Sequence, residues 1–194
     1  MPPCLHAQRG YLPYDRVLEI YALFFNGSVG ELRDNELTKL PRTHEAFLYV
    51  HELARQRLEK QYASTAQLSD AFSLFRWSSE LHEQLYGVPA HTAWYNLACC
   101  ASRMAALRRV PWASDSPWSV PFGSNRPGSL ECLSAEQCLD ASIVWLRAAC
   151  AAGYADHAHM TKDSDLAEVR ERRNAKFQLA VQLAKAMATV SQGA

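Results

Sequence analysis

Three His-Glu pairs, His44-Glu45, His51-Glu52 and His82-Glu83, raise the possibility of a zinc hydrolase. A helical His-Glu-x-x-His motif needs a second imidazole one turn on, because only then do both rings reach one ion. The positions that should carry it hold Leu48, Arg55 and Tyr86, so all three fail. His44 and His51 share a helix face but lie two turns apart, about 10 Å by helix rise, too far for one ion on a straight helix. They are expected to be solvated. "DHAHM" places Asp156, His157 and His159 together and would need Cys150 or Asp163 to complete a metal site, at a spacing that matches no ligand motif. Cys99 and Cys100 point about 100° apart on a helix and cannot both face one ion. Cys100 is expected to pack inward and Cys99 to face a groove, with no base in sequence to activate it. Phosphate-cradling glycine loops are absent from the sequence. No metal, cofactor or catalytic residue is therefore expected.

The elements that must position these residues are helical. The chain has 194 residues, 48% hydrophobic and 21% charged, enough for one domain with a substantial core. Twenty basic and twenty acidic side chains balance, which weighs against a nucleic-acid backbone or an anionic membrane as target. Prolines interrupt the N-terminal "MPPCLHAQRGYLPYD", and no segment approaches ~18 uninterrupted apolar residues. An intracellular, cytoplasmic protein is expected, with its six cysteines reduced.

Apolar spacing predicts helices on Val17, Leu18, Tyr21, Ala22 and Phe25, then on Phe47, Val50, Ala54 and Leu58. Leu68, Ala71, Phe72, Phe75, Ser78, Leu81 and Leu85 hold one face of a further helix, which Gly87 and Pro89 stop, with Thr92 placed to cap the next. Residues 110–134 break the pattern. Their "PWASDSPWSVPFGSNRPGS" mixes turn residues with Trp112, Trp118 and Phe122, a long loop whose aromatics either fold back on the helices or dock onto a partner. Helical spacing resumes at Ala135, Cys138, Leu139, Ser142, Trp145, Leu146, Ala149 and Cys150, and again at Phe177, Ala180, Leu183, Ala184, Met187 and Val190. No alternating strand pattern competes.

Trp94-Tyr95-Asn96-Leu97-Ala98 and Ala141-x-x-x-Trp145 with Ala148 resemble the two helices of a tetratricopeptide repeat, with Ala98 in place of the usual glycine. Trp94 and Ala141 lie 47 positions apart where a standard repeat puts about 16, so the aromatic loop becomes an insertion inside a repeat. Ala71-x-x-x-Phe75 marks a degenerate earlier unit. Gly153, Tyr154, Asp163, Asp165, Leu166, Val169, Arg170 and Phe177 resemble the module that ends some tetratricopeptide arrays, with Val169 for leucine. The resemblance implies an all-α short solenoid of antiparallel helix pairs over residues 41–194, an insertion at 110–134 and a C-terminal capping helix. Arg172, Arg173, Lys176, Gln182 and Lys185 are expected to give that cap a polar outer face. Residues 1–40 form an N-terminal helical segment of no recognised kind.

Trp94, Leu97, Ala98, Ala101 and Ala105 should point into the stack, and Thr92, Tyr95, Cys99, Ser102 and Arg103 should form an adjoining stripe. In the family such a stripe lines the concave groove, which implies Tyr95, Cys99, Ser102 and Arg103 as partner contacts beside Trp112, Trp118 and Phe122. The alternative for Tyr95 is packing on the preceding helix. The function implied is a non-catalytic scaffold or assembly subunit that binds a protein partner, with oligomerisation as a further option. The rivals are a metal-dependent or thiol enzyme and an RNA-binding helical repeat, the latter suggested by 15 arginines to 5 lysines.

Overall fold

The computed structural model describes residues 44–59, 63–109, 130 and 133–192. Among these the chain is all-α, with seven α-helices, one 3-10 turn and no strand. Helix α1 spans His44–Leu58 and α2 Thr65–Tyr86. Then come α3, His91–Arg108, and α4, Ala135–Ala151. Beyond α4 lie the short α5 (His157–Lys162), a 3-10 turn (Ser164–Leu166), α6 (Ala167–Arg172) and the long α7 (Asn174–Gln192). The expected helix at Val17–Phe25, and the expected loop contacts of Trp112, Trp118 and Phe122, fall outside the described residues.

Local chemistry sets the helix ends. Ser64 and Ser134 each open a helix with a reciprocal capping box: the serine Oγ accepts from the N–H of Gln67 or Gln137 at 3.2 Å, and that glutamine's side chain accepts from the serine N–H. Gly87 ends α2 at φ 73°, and its N–H donates to the Glu83 carbonyl. Gly153 does more. At φ 108° it lets its own N–H reach the Cys150 carbonyl and the Tyr154 N–H reach that of Ala149 at 2.9 Å, turning the chain back toward α3. Thr92 does not cap α3. That helix begins one residue earlier, after Ala90, and leaves Thr92 exposed within its first turn.

The helices pack in series, α1 on α2, α2 on α3 and α3 on α4, and α7 returns to α4. The first pair is antiparallel: His44 bonds Tyr86, His51 faces Ser78 at 3.2 Å, and Arg57 pairs with Asp70 at 3.0 Å. The α3–α4 pair is antiparallel too, with Trp94 beside Trp145 (ring centroids 6.0 Å apart) and the Ser142 hydroxyl donating to the Ala98 carbonyl at 2.9 Å. That hydroxyl reaches a backbone oxygen of another helix only because Ala98 carries a single methyl where the helices cross. Leu97, Ala98, Ala101 and Ala105 are fully buried as expected, while Trp94 lies half-buried beside the crossing. Helix α7 follows α4 in the same direction, with Arg173 and Lys176 near Asp140 and Ala180 near Cys150.

Helix α3 is the centre of the core. Six consecutive residues, Leu97 to Ser102, are buried, so it is enclosed on every side rather than along one stripe.

Candidate functional site

The chemistry-bearing side chains of α3 meet the segment between α4 and α7. Tyr95, Cys99 and Ser102 are 4%, 1% and 0% exposed, so the stripe expected to lie open as a groove is closed. What closes it is the chain itself. The turn at Gly153 lays Tyr154 flat on Tyr95, with ring centroids 4.3 Å apart and planes 9° from parallel. The Tyr95 hydroxyl donates to Asp163 Oδ2 at 2.6 Å, and the Cys99 thiol lies 3.7 Å from the same oxygen. His159, one turn before Asp163 on the chain, brings Nε2 to 3.4 Å from that oxygen. The other oxygen, Oδ1, accepts from the Asp165 N–H at 2.9 Å and starts the 3-10 turn.

Further along the stripe, the Ser102 hydroxyl accepts from the Val169 N–H at 3.4 Å. Arg103 donates to the carbonyl of Leu58 at the end of α1 and stands 3.6 Å from Asp165. Arg170 holds the turn from behind, donating to the carbonyls of Thr161 and Asp163 at 3.0 and 3.1 Å. These bonds fix the broken helix 157–172 against α3, and the apolar residues between them, Met160, Leu166 and Val169, are fully buried.

Electrostatics in this site suppress reactivity. Burial holds the Cys99 thiol well above its ordinary pKa, and the neighbouring Asp163 carboxylate adds to the effect. Burial likewise raises the Tyr95 phenol and the Asp165 carboxyl, the latter opposed by Arg103. Cys100 is fully buried as expected, and Cys150, pushed by burial to about 11, donates to the Ala180 carbonyl at 3.5 Å. A thiol kept protonated is a small hydrophobe and not a nucleophile at neutral pH.

Arg172, Lys176, Gln182 and Lys185 are exposed on the cap as expected, and Arg173 is half-buried; Arg172, Arg173 and Lys176 pair at the surface with Glu136 and Asp140 of α4, Arg173 to Glu136 at 2.6 Å and Lys176 to Asp140 at 3.1 Å. A carboxylate pair one turn apart on α4 captures them. His51 is not a solvated residue. It is half-buried with its ring 5.3 Å from that of Phe75 and 5.8 Å from that of Phe47, and desolvation lowers its pKa to about 4. The "DHAHM" residues, from which no metal site was expected, form the turn into α5, where Asp156 accepts from the His159 N–H at 2.9 Å and caps that helix. Among the described residues, no three His, Cys, Asp or Glu side chains are grouped so as to hold a metal ion, and no helix is long and apolar enough to cross a membrane.

Sequence reasoning missed the partners of the stripe. Asp163 and Asp165 were visible as parts of the end-module resemblance, but nothing local links them to a tyrosine 68 residues away. No protein-family model matches this chain, and comparison with curated proteins and with solved structures finds no match either.

Proposed function

We propose that the chain is a non-catalytic protein-binding scaffold, or a subunit of a larger assembly, built on a tetratricopeptide-like stack of helix pairs. The observation that carries this reading is the α3 stripe itself. Its Tyr95, Ser102 and Arg103 hold a short acidic segment, Asp163 to Val169, by hydrogen bonds and an ion pair. The interactions are noncovalent, and the one thiol among them is held protonated. The repeat reading takes α1 with α2 and α3 with α4, which pack in series, as its two helix pairs.

Because the stripe is filled by the chain's own segment, partner contact falls to the 110–134 insertion with Trp112, Trp118 and Phe122. Its ends are fixed. It leaves from the end of α3 at Arg109, whose guanidinium stands 3.6 Å from Glu168, and returns through the fully buried Leu130 to the capping box at Ser134.

Replacing residues 111–129 with a flexible Gly-Ser linker of equal length should leave the thermal midpoint within a few degrees and reduce capture of the partner at least about tenfold. The check is quantitative affinity purification of full-length protein with crosslinking, beside thermal unfolding. Undiminished capture would remove the insertion from the binding surface. Stoichiometric zinc, substrate turnover, or RNA binding that persists at physiological salt would replace the scaffold reading with one of its rivals.

A further inference from the structure

The seam between α1 and α2 is closed by different chemistry at its two ends. At the end nearer the α2 C-terminus, three imidazoles alternate with aromatic rings. Phe47 stands 5.8 Å from His51, 5.0 Å from His82 and 6.1 Å from His44, centroid to centroid, and His82 lies 4.6 Å from Tyr86. His44 bonds the Tyr86 hydroxyl, and His82 Nδ1 donates to the Val88 carbonyl at 2.7 Å, which pins that ring against the seam. At the other end the links are arginines, whose charge does not change near neutral pH. Arg57 pairs with Asp70 at 3.0 Å, and Arg103 donates to the carbonyl of Leu58.

We propose that the His44–His51 half of α1 is an acid-responsive jaw, which parts from α2 and unwinds as pH falls from 7.5 to 5, while its Leu58 end and the α2–α4 stack stay packed. Two turns of helix without a support do not persist in water, so parting and unwinding are one event. Protonation would gather like charges along one seam. The charged and titratable groups acting on His51 are Glu52 and Arg55 of α1 and His82 of α2. Glu52 favours the imidazolium but is turned to Arg55, at 2.5 and 2.7 Å, and Arg55 and a protonated His82 oppose it.

Burial among Phe47, Phe75 and Ser78 holds the closed-state pKa of His51 at about 4, against the ordinary 6.5 once the ring is hydrated. The closed jaw therefore binds this proton more weakly than the open one. Its advantage is complete above pH 6.5 and shrinks as pH falls toward 4. From His51 alone, the open population at pH 5 is roughly 30-fold that at pH 7.5.

Hydrogen exchange of the full chain at pH 7.5, 6 and 5 tests this, each rate referred to that of an unstructured peptide at the same pH. Protection of the Leu48 to Glu52 amides should fall roughly 30-fold between pH 7.5 and 5. At pH 5 dilute urea should leave their exchange unchanged. The Leu97 to Ser102 amides of α3 should stay better protected and respond to urea, as amides opened only by global unfolding do. His51→Gln should make protection of α1 nearly independent of pH. Protection that holds at pH 5 would mean that the rings of Phe47 and Phe75 stabilise the imidazolium as a cation–π pair instead. That result, equal urea dependence in α1 and α3, or an undiminished acid response in His51→Gln, would overturn the proposal.

Discussion

Tyr95→Ala is expected to destabilise the fold by about 3–5 kcal/mol, the cost of removing a buried aromatic ring that its surroundings cannot fill. The ring is 4% exposed and stacked on Tyr154, and its hydroxyl satisfies an Asp163 carboxylate that also shapes the 3-10 turn. Truncation therefore leaves a cavity and takes a donor from a carboxylate whose side chain is only 12% exposed. Were the stripe an open groove, the same substitution would cost binding and spare stability. Urea unfolding of the variant beside wild type distinguishes the two, and a change within about 0.5 kcal/mol would return Tyr95 to the surface.

The second large effect is a loss of stability in acid that depends on His51. Its ordinary pKa of 6.5 falls to about 4 in the folded protein, because desolvation against Phe75 and Ser78 outweighs the attraction of Glu52, and Arg55 and His82 add repulsion. Glu52, itself held by Arg55 through paired bonds of 2.5 and 2.7 Å, is the main opposing influence, and it does not offset the desolvation. The sign follows from linkage. Above pH 6.5 the imidazole is neutral in both states and its burial costs nothing in charge. Below that the unfolded chain takes up a proton the folded chain resists, so stability falls between pH 6.5 and about 4 and then levels off. The full difference is about 3 kcal/mol at one pKa unit per ~1.4 kcal/mol. Urea midpoints at pH 7.5, 6 and 5 should fall for wild type, and His51→Gln should flatten that dependence. Parallel curves would show that His51 stays hydrated.

How far the sequence was legible varies from helix to helix. On α2, large apolar residues at Leu68, Phe72, Phe75 and Leu81 are separated by charged or polar ones, and the predicted face is the buried face. Gly87 and Gly153 were readable as stops for a local reason, the positive φ that few other residues tolerate. On α3 the pattern fails because alanine, cysteine and serine fit a core, a groove or a crossing equally well. Cys99 and Ser102 are buried not by their own hydrophobicity but because a segment more than 60 residues later arrives to cover them. Arg172 and Lys176 were legible as exposed residues of the cap, but their partners Glu136 and Asp140, each 36 residues earlier, were not. Tertiary partners chose among options that local sequence left equal.

The claim on which the rest depends is that the α3 stripe is closed by its own chain, and the Tyr95–Asp163 bond is its most specific point. A double-mutant cycle measures that contact directly: urea unfolding of wild type, Tyr95→Phe, Asp163→Asn and the double variant. The account predicts that the two substitutions are non-additive, with a coupling of about 1–2 kcal/mol for a buried hydroxyl donating to a carboxylate. Additivity within about 0.3 kcal/mol would mean that the two side chains do not meet, and that the groove is open to a partner after all.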